Sequence, residues 1–106
     1  MSAVRFKEAT PAQVAEVRGQ VRLVDVREPA EYTGELSHIA EAELVPLATV
    51  LDAVADWDRK APIVLVCRSG ARSGRAAQAL VSLGFEDVTN MVGGMIAWNE
   101  ARLPVA

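Results

Sequence analysis

The sequence predicts an α/β domain, a mostly parallel sheet with helices on both faces, and three observations carry that expectation. Short β-branched and apolar runs alternate with stretches of helical spacing along most of the chain. The run Ile63–Val66 is apolar at every position, as in a central parallel strand buried on both faces. Gly19, Pro29, Pro46 and Gly84 stand where these runs should stop.

Taken in order, residues 4–6 are apolar enough for a short edge strand. Thr10 followed by Pro11 reads as an N-cap and first helical position, opening a helix to about Arg18 with Val14 and Val17 on its buried side. Residues 21–26 form a second strand carrying Asp25 near its end, stopped by Pro29 after Arg27 and Glu28. A short helical turn over residues 30–33 leads through Gly34 to a brief strand at residues 43–45, which Pro46 terminates. Leu47, Val50, Leu51 and Val54 follow helical spacing and supply the helix before the strand at Ile63. Residues 72–83 form a helix with Ala76, Leu80 and Leu83 on one face and Gly84 as its C-cap. The last strand covers residues 88–92, and Gly93 and Gly94 precede a final short helix through Trp98. Trp98, Met91 and Met95 are expected in the core, Trp57 as an amphipathic surface cover and Arg75 in solvent.

The 106 residues suit one domain, residues 1–106, and 51% hydrophobic composition is enough to build its core. A net charge of −3 argues against nucleic acid or an anionic membrane as a general partner. No apolar run approaches the roughly 20 residues of a membrane span, and MSAVRFKEAT lacks a secretory signal's apolar segment, so the cytoplasm is the expected compartment. One cysteine rules out an internal disulfide, and one histidine leaves no Cys/His metal site.

That single cysteine, Cys67, ends the apolar strand. Arg68, Ser69, Gly70, Ala71, Arg72 and Ser73 follow, all small or basic, before the helix takes hold. A tight loop between a strand end and a helix start offers free N–H groups and the positive end of a helix dipole, which favour a thiolate or an anionic substrate. No Asp or Glu occurs between Asp58 and Glu86, whereas Arg68, Arg72 and Arg75 all fall there. At a thiol's usual value only ~3% is thiolate at neutral pH, and lowering it enough for ~90% takes roughly 3 kcal/mol. One helix terminus supplies at most ~2 kcal/mol, so loop N–H groups and arginines must contribute the remainder. In a parallel sheet ligands bind outside the carboxyl ends of the strands, where Cys67 and Asp25 both lie. The competing structural interpretation is a buried, inert cysteine, which does not require a doubly basic, glycine-containing loop after it.

LVDVREPAEY, His38 with Ile39, VLVCRSGARS and GFEDVTNMVGGMIAW, with Leu103 and Pro104 at the end, together resemble a single-domain rhodanese, a thiosulfate sulfurtransferase. The resemblance implies a rhodanese-like fold and Cys67 as the nucleophile that takes sulfane sulfur from a donor such as thiosulfate. The resulting persulfide passes sulfur to cyanide or a thiol. It implies that residues 68–73 surround the persulfide and its anionic donor, that Asp25 and Arg27 support the loop, and that neither metal nor organic cofactor is needed. With no second cysteine, the acceptor must come from outside. The chain departs from the family at Ser37, where a glycine usually precedes the His-Ile pair, and at Ala40, Glu41 and Ala42, where a Pro-Gly-Ala type turn is usual. His38 is expected to bond to backbone, since an ionised thiol needs no base.

Two other classes fit a cysteine in an anion-binding loop: a thiol-dependent phosphatase or arsenate reductase, and a non-catalytic binding module. Thiol phosphatases separate cysteine and arginine by five residues, whereas four lie between Cys67 and Arg72, and Ser73 holds the place of their arginine.

Overall fold

The computed structural model describes residues 5–106. Its five strands form one all-parallel sheet: β1 (Lys7–Ala9), β2 (Arg22–Asp25), β3 (Glu43–Leu44), β4 (Ile63–Val66) and β5 (Val88–Met91). Their order is β1-β5-β4-β2-β3, with β4 in the middle. Five helices connect them: α1 (Pro11–Val17), α2 (Pro29–Tyr32), α3 (Val50–Ala53), α4 (Ala71–Ser82) and α5 (Gly94–Glu100). A 3-10 turn, Leu47–Thr49, leads into α3.

Alternation along the strands sorts the core into two layers. Ile63, Leu65 and Cys67 point to the side of α3 and α4, where Val50, Val54, Ala76, Ala77, Leu80 and Phe85 meet them. Val64 and Val66 point the other way, toward Val14 of α1 and Met95 and Trp98 of α5. Helices therefore cover both faces, as the all-apolar β4 requires. Trp98 is fully buried, its indole N–H donating to the Pro104 carbonyl at 3.1 Å. Trp57 stays half-buried beneath the Arg22 guanidinium, 3.3 Å from its ring centroid.

Local signals explain most element ends. Thr10 and Gln13 form a reciprocal capping box at the start of α1, with Pro11 at its first position. Gly84, at φ +95°, closes α4 in a Schellman motif: its N–H bonds Val81 O, and the Phe85 N–H reaches Leu80 O.

Several expectations shift. The first strand begins at Lys7, because its edge position is set by the ladder to Thr89, Asn90 and Met91; Val4 lies outside the described residues. Leu51 is 48% exposed: α3 is one turn long and spends its buried stripe on Val50 and Val54. Leu83 is 41% exposed because it is the C-cap of α4, and Phe85, after the Gly84 reversal, fills the core instead.

Candidate active site

Cys67 follows the last residue of β4, and strand parity aims its sulfur at α4. The same parity puts Asn90 of β5 on the face of Val88, also toward α4, and Ser73 belongs to the stripe of α4 that packs on the sheet. Three polar side chains thus converge inside an apolar layer, with Cys67 1%, Ser73 0% and Asn90 5% exposed. Cys67 Sγ accepts from the Gly70 N–H at 3.1 Å and lies 3.3 Å from Ser73 Oγ. Ser73 Oγ lies 2.6 Å from Asn90 Oδ1, and Asn90 Nδ2 donates to the Gly70 carbonyl at 3.1 Å.

Gly70 makes the loop turn. At φ +102° it occupies backbone space that L side chains rarely enter, and it is the N-cap of α4 without a side-chain cap. The first-turn N–H groups of α4 therefore lack helical acceptors and remain available to an anion. Burial pushes the Cys67 thiol up, but its hydrogen bonding with Ser73 and with the N–H groups of Gly70 and Ser69 outweighs that effect. The thiol sits below its ordinary value.

The far side of the loop is held by α5. The Met95 N–H donates to Cys67 O at 2.8 Å and the Ile96 N–H to Arg68 O at 3.1 Å. This docking puts Gly94 directly on the loop backbone at φ +57°, and a Cβ there would overlap the Cys67 and Arg68 carbonyl oxygens. The paired glycines of GGMIAW are thus a contact surface for the cysteine loop as well as a helix start.

The two arginines of the loop differ. Arg72 forms a bidentate pair with Glu31 of α2, both bonds 2.7 Å, so its side chain grips α2 and does not reach across the sulfur. Arg68 is exposed, with no ion pair among the described residues, and borders a cavity of about 240 Å³ together with Arg27, Glu31, Glu35 and Leu36. Arg75 is exposed on the outer side of α4.

Asp25 and Arg27 form a buried pair, 2.8 Å between Arg27 Nη2 and Asp25 Oδ2. Strand parity puts Asp25 on the Leu23 face, across the sheet from the Cys67 sulfur, so the shared carboxyl end does not bring the two side chains into one cluster. Arg27 also donates to the carbonyls of Glu31 at 3.1 Å and Ser37 at 2.7 Å. The pair anchors α2, and α2 reaches the loop through Glu31 and Arg72. His38 stacks on Tyr32 at 3.7 Å, and its Nδ1 meets the Tyr32 carbonyl at 2.8 Å, the backbone bond expected of it. Ser37 takes φ +55°, which explains the glycine usual there: this chain keeps the turn with a residue that fits it less easily.

Sequence reasoning does not single out Asn90 or Glu31. A polar residue two positions after Val88, on the α4-facing side of β5, is a usable signal for Asn90. Glu31 and Arg72 are 41 positions apart, and no local pattern pairs them.

The Glu31–Arg72 pair carries a pH signature. The Arg72 guanidinium lowers the Glu31 carboxyl from 4.5 to about 2, against a smaller opposing effect of burial. A carboxylate lowered on folding adds stability above its unfolded value and loses it as pH falls through its folded value. Glu31→Gln is therefore expected to cost about 1 kcal/mol at neutral pH, allowing for solvent screening of a partly exposed pair. The difference should shrink between pH 4.5 and about 2 in urea titrations. A difference independent of pH would assign the cost to something other than the pair.

A parallel sheet that delivers a hydrogen-bonded cysteine into an anion-favouring loop at its carboxyl edge defines a class of cysteine-centred α/β domains. Comparison with known proteins agrees: the rhodanese-like domain profile matches residues 10–101. The chain belongs to the rhodanese-like domain family. It is 36% identical over 98 residues to the protein named thiosulfate sulfurtransferase GlpE of Pseudoalteromonas translucida, covering 91% of each chain. It is 41% identical over 96 residues to an uncharacterized protein of Synechocystis, covering 89% of this chain and only 52% of that one. The crystal structure of a rhodanese-like domain protein from Staphylococcus aureus superposes with a TM-score of 0.80 at 28% identity, covering 95% of this chain and 99% of that one.

Proposed function

We propose that the protein is a sulfurtransferase that carries sulfane sulfur on Cys67, from thiosulfate or a related donor to cyanide or a thiol acceptor. The observation that supports this most is a thiol already hydrogen-bonded by the loop that follows it. In the proposed reaction the Cys67 thiolate attacks the outer sulfur of thiosulfate. A bond forms between Sγ and that sulfur, the donor's S–S bond breaks, and sulfite leaves with the electron pair. The persulfide's outer sulfur carries the negative charge, and the N–H groups of Ser69, Gly70 and Ser73 are the donors proposed to stabilise it. Attack by cyanide or a thiolate on the outer sulfur then restores the Cys67 thiolate.

The sequence similarity to a protein named thiosulfate sulfurtransferase favours thiosulfate among donors. Loop length favours a transferase over a phosphatase. The position that a phosphatase fills with arginine is Ser73, buried against the sulfur, and Arg72 is engaged by Glu31. The ring around Cys67 fits a sulfur atom bonded to Cys67 better than a tetrahedral phosphate. Measured side by side, turnover of thiosulfate with cyanide is expected to be readily detected and hydrolysis of an aryl phosphate to stay at background. Efficient aryl phosphate hydrolysis through Cys67 with no thiosulfate turnover would replace this reading with the phosphatase.

The arginines divide the work. Arg68, exposed beside Cys67, is the residue proposed to attract the anionic donor. Arg68→Ala should raise KM for thiosulfate several-fold and change turnover of a neutral sulfur donor less. Arg72→Ala should lower turnover with both donors alike, because it releases α2. Equal losses with both donors for Arg68→Ala would make Arg68 a loop support instead.

A further inference from the structure

The Ser73 hydroxyl has one proton and two neighbours that can take it: Cys67 Sγ at 3.3 Å and Asn90 Oδ1 at 2.6 Å. The orientation of the Asn90 amide is not free. Its Nδ2 donates to the Gly70 carbonyl, and a turned amide would set Oδ1 against that oxygen. With Oδ1 fixed toward Ser73 at the shorter distance, the hydroxyl proton lies on the Asn90 side, and Ser73 Oγ turns a lone pair to the sulfur. We propose that Asn90 is a positioning residue that withholds the Ser73 hydroxyl from Cys67, so that Ser73 accepts from the thiol S–H instead of donating to the thiolate. In the protonated state a continuous chain runs from Sγ–H to Ser73 Oγ and from Ser73 O–H to Asn90 Oδ1, with every buried polar atom satisfied. On ionisation the hydroxyl cannot serve both acceptors, and turning it to the sulfur leaves Oδ1 facing a lone pair in a buried site.

The thiolate therefore depends on backbone donors, the N–H groups of Ser73, Gly70 and Ser69, and Asn90 restrains how readily Cys67 ionises. The charged groups facing this loop are Arg68 within it, Arg72 of α4, Glu31 of α2 paired to Arg72, and the Asp25–Arg27 pair beyond β2. β5 and the first turn of α5 bring no ionisable side chain. None of these charges touches the Ser73 to Asn90 bond, so substitutions there leave the local charge unchanged.

This inference deepens the reading of Cys67 as the working thiol, but its test needs no sulfur transfer. The rate of Cys67 alkylation by iodoacetamide against pH, followed by intact mass, reports thiol ionisation, since the chain has one cysteine. Asn90→Ala is expected to lower the apparent pKa of Cys67 by about one unit, roughly tenfold in ionisation constant, because the freed hydroxyl turns to the thiolate. Adding Ser73→Ala to that variant should raise it again by a similar amount. Ser73→Ala in the otherwise native chain should leave it within a few tenths of a unit or lower it, since the hydroxyl gives the thiolate nothing there. Loss of the Gly70 anchor alone would move the value upward in Asn90→Ala, so the sign separates the two roles. An unchanged or raised value in Asn90→Ala overturns the proposal. So does a rise of about one unit in Ser73→Ala alone, a variant that decides the matter even where Asn90→Ala does not fold.

Discussion

Gly94→Ala is expected to lower stability by about 2–5 kcal/mol and to disable the cysteine loop, although residue 94 lies 27 positions from Cys67. Two costs combine. An alanine at φ +57° carries the left-handed penalty, and its Cβ would overlap the Cys67 and Arg68 carbonyl oxygens, which are backbone and cannot swing away as a flexible side chain does. Relief requires α5 to move off the loop. The Met95 and Ile96 N–H bonds to those carbonyls are then lost, and with them the backbone course that aims the Gly70 N–H at the sulfur. Urea unfolding with an assay of sulfur transfer checks both consequences. Gly19→Ala is the control, because a Cβ there meets nothing within 4 Å and the backbone is not left-handed, so its effect should stay within about 0.5 kcal/mol. Native stability and turnover in Gly94→Ala would show that the cysteine loop does not depend on the docking of α5.

Cys67→Ser should reduce sulfur transfer to background, at least ~10³-fold, while the fold persists. The sulfur is the atom that forms and breaks the bond in the proposed reaction, and a hydroxyl at that position is neither ionised nor able to make a persulfide. The serine occupies nearly the same volume and can accept from the Gly70 N–H, so a stability change of no more than about 1.5 kcal/mol is expected. Cyanide-dependent thiocyanate formation surviving in the folded variant would exclude Cys67 as the carrier, since no other cysteine is present to take its place.

Much of this site is legible in the chain because its parts are local. Residues 63–75 announce a buried strand, a cysteine and a helix start in sequence, and β4 and α4 fall within one residue of that reading. The pairing of Asp25 with Arg27 is likewise local, two residues apart on one side of a strand. Contacts made by folding are less visible. That the helix after Gly94 docks on the Cys67 carbonyl depends on β5 lying beside β4, and that Arg72 turns to Glu31 depends on where α2 settles beside the loop. Arg72 thus looks like an anion ligand in sequence and is an ion-pair partner in the fold. Asn90 sits in a strand recognised by its apolar neighbours, and only the parity of β5 against α4 reveals that its amide faces Ser73. The edge strand is displaced from residues 4–6 to Lys7–Ala9 for a related reason: hydrophobicity marks where a chain is buried, while ladder pairing marks where an edge strand is assigned.

Cys67 is proposed to carry the transferred sulfur. Intact-protein mass spectrometry after incubation with thiosulfate, without an acceptor, tests it directly. A mass increase of one sulfur atom is expected, localised to the peptide containing Cys67, removed by adding cyanide and absent in Cys67→Ser. An unmodified protein that nevertheless turns over thiosulfate, or an added sulfur that cyanide leaves in place, would contradict it.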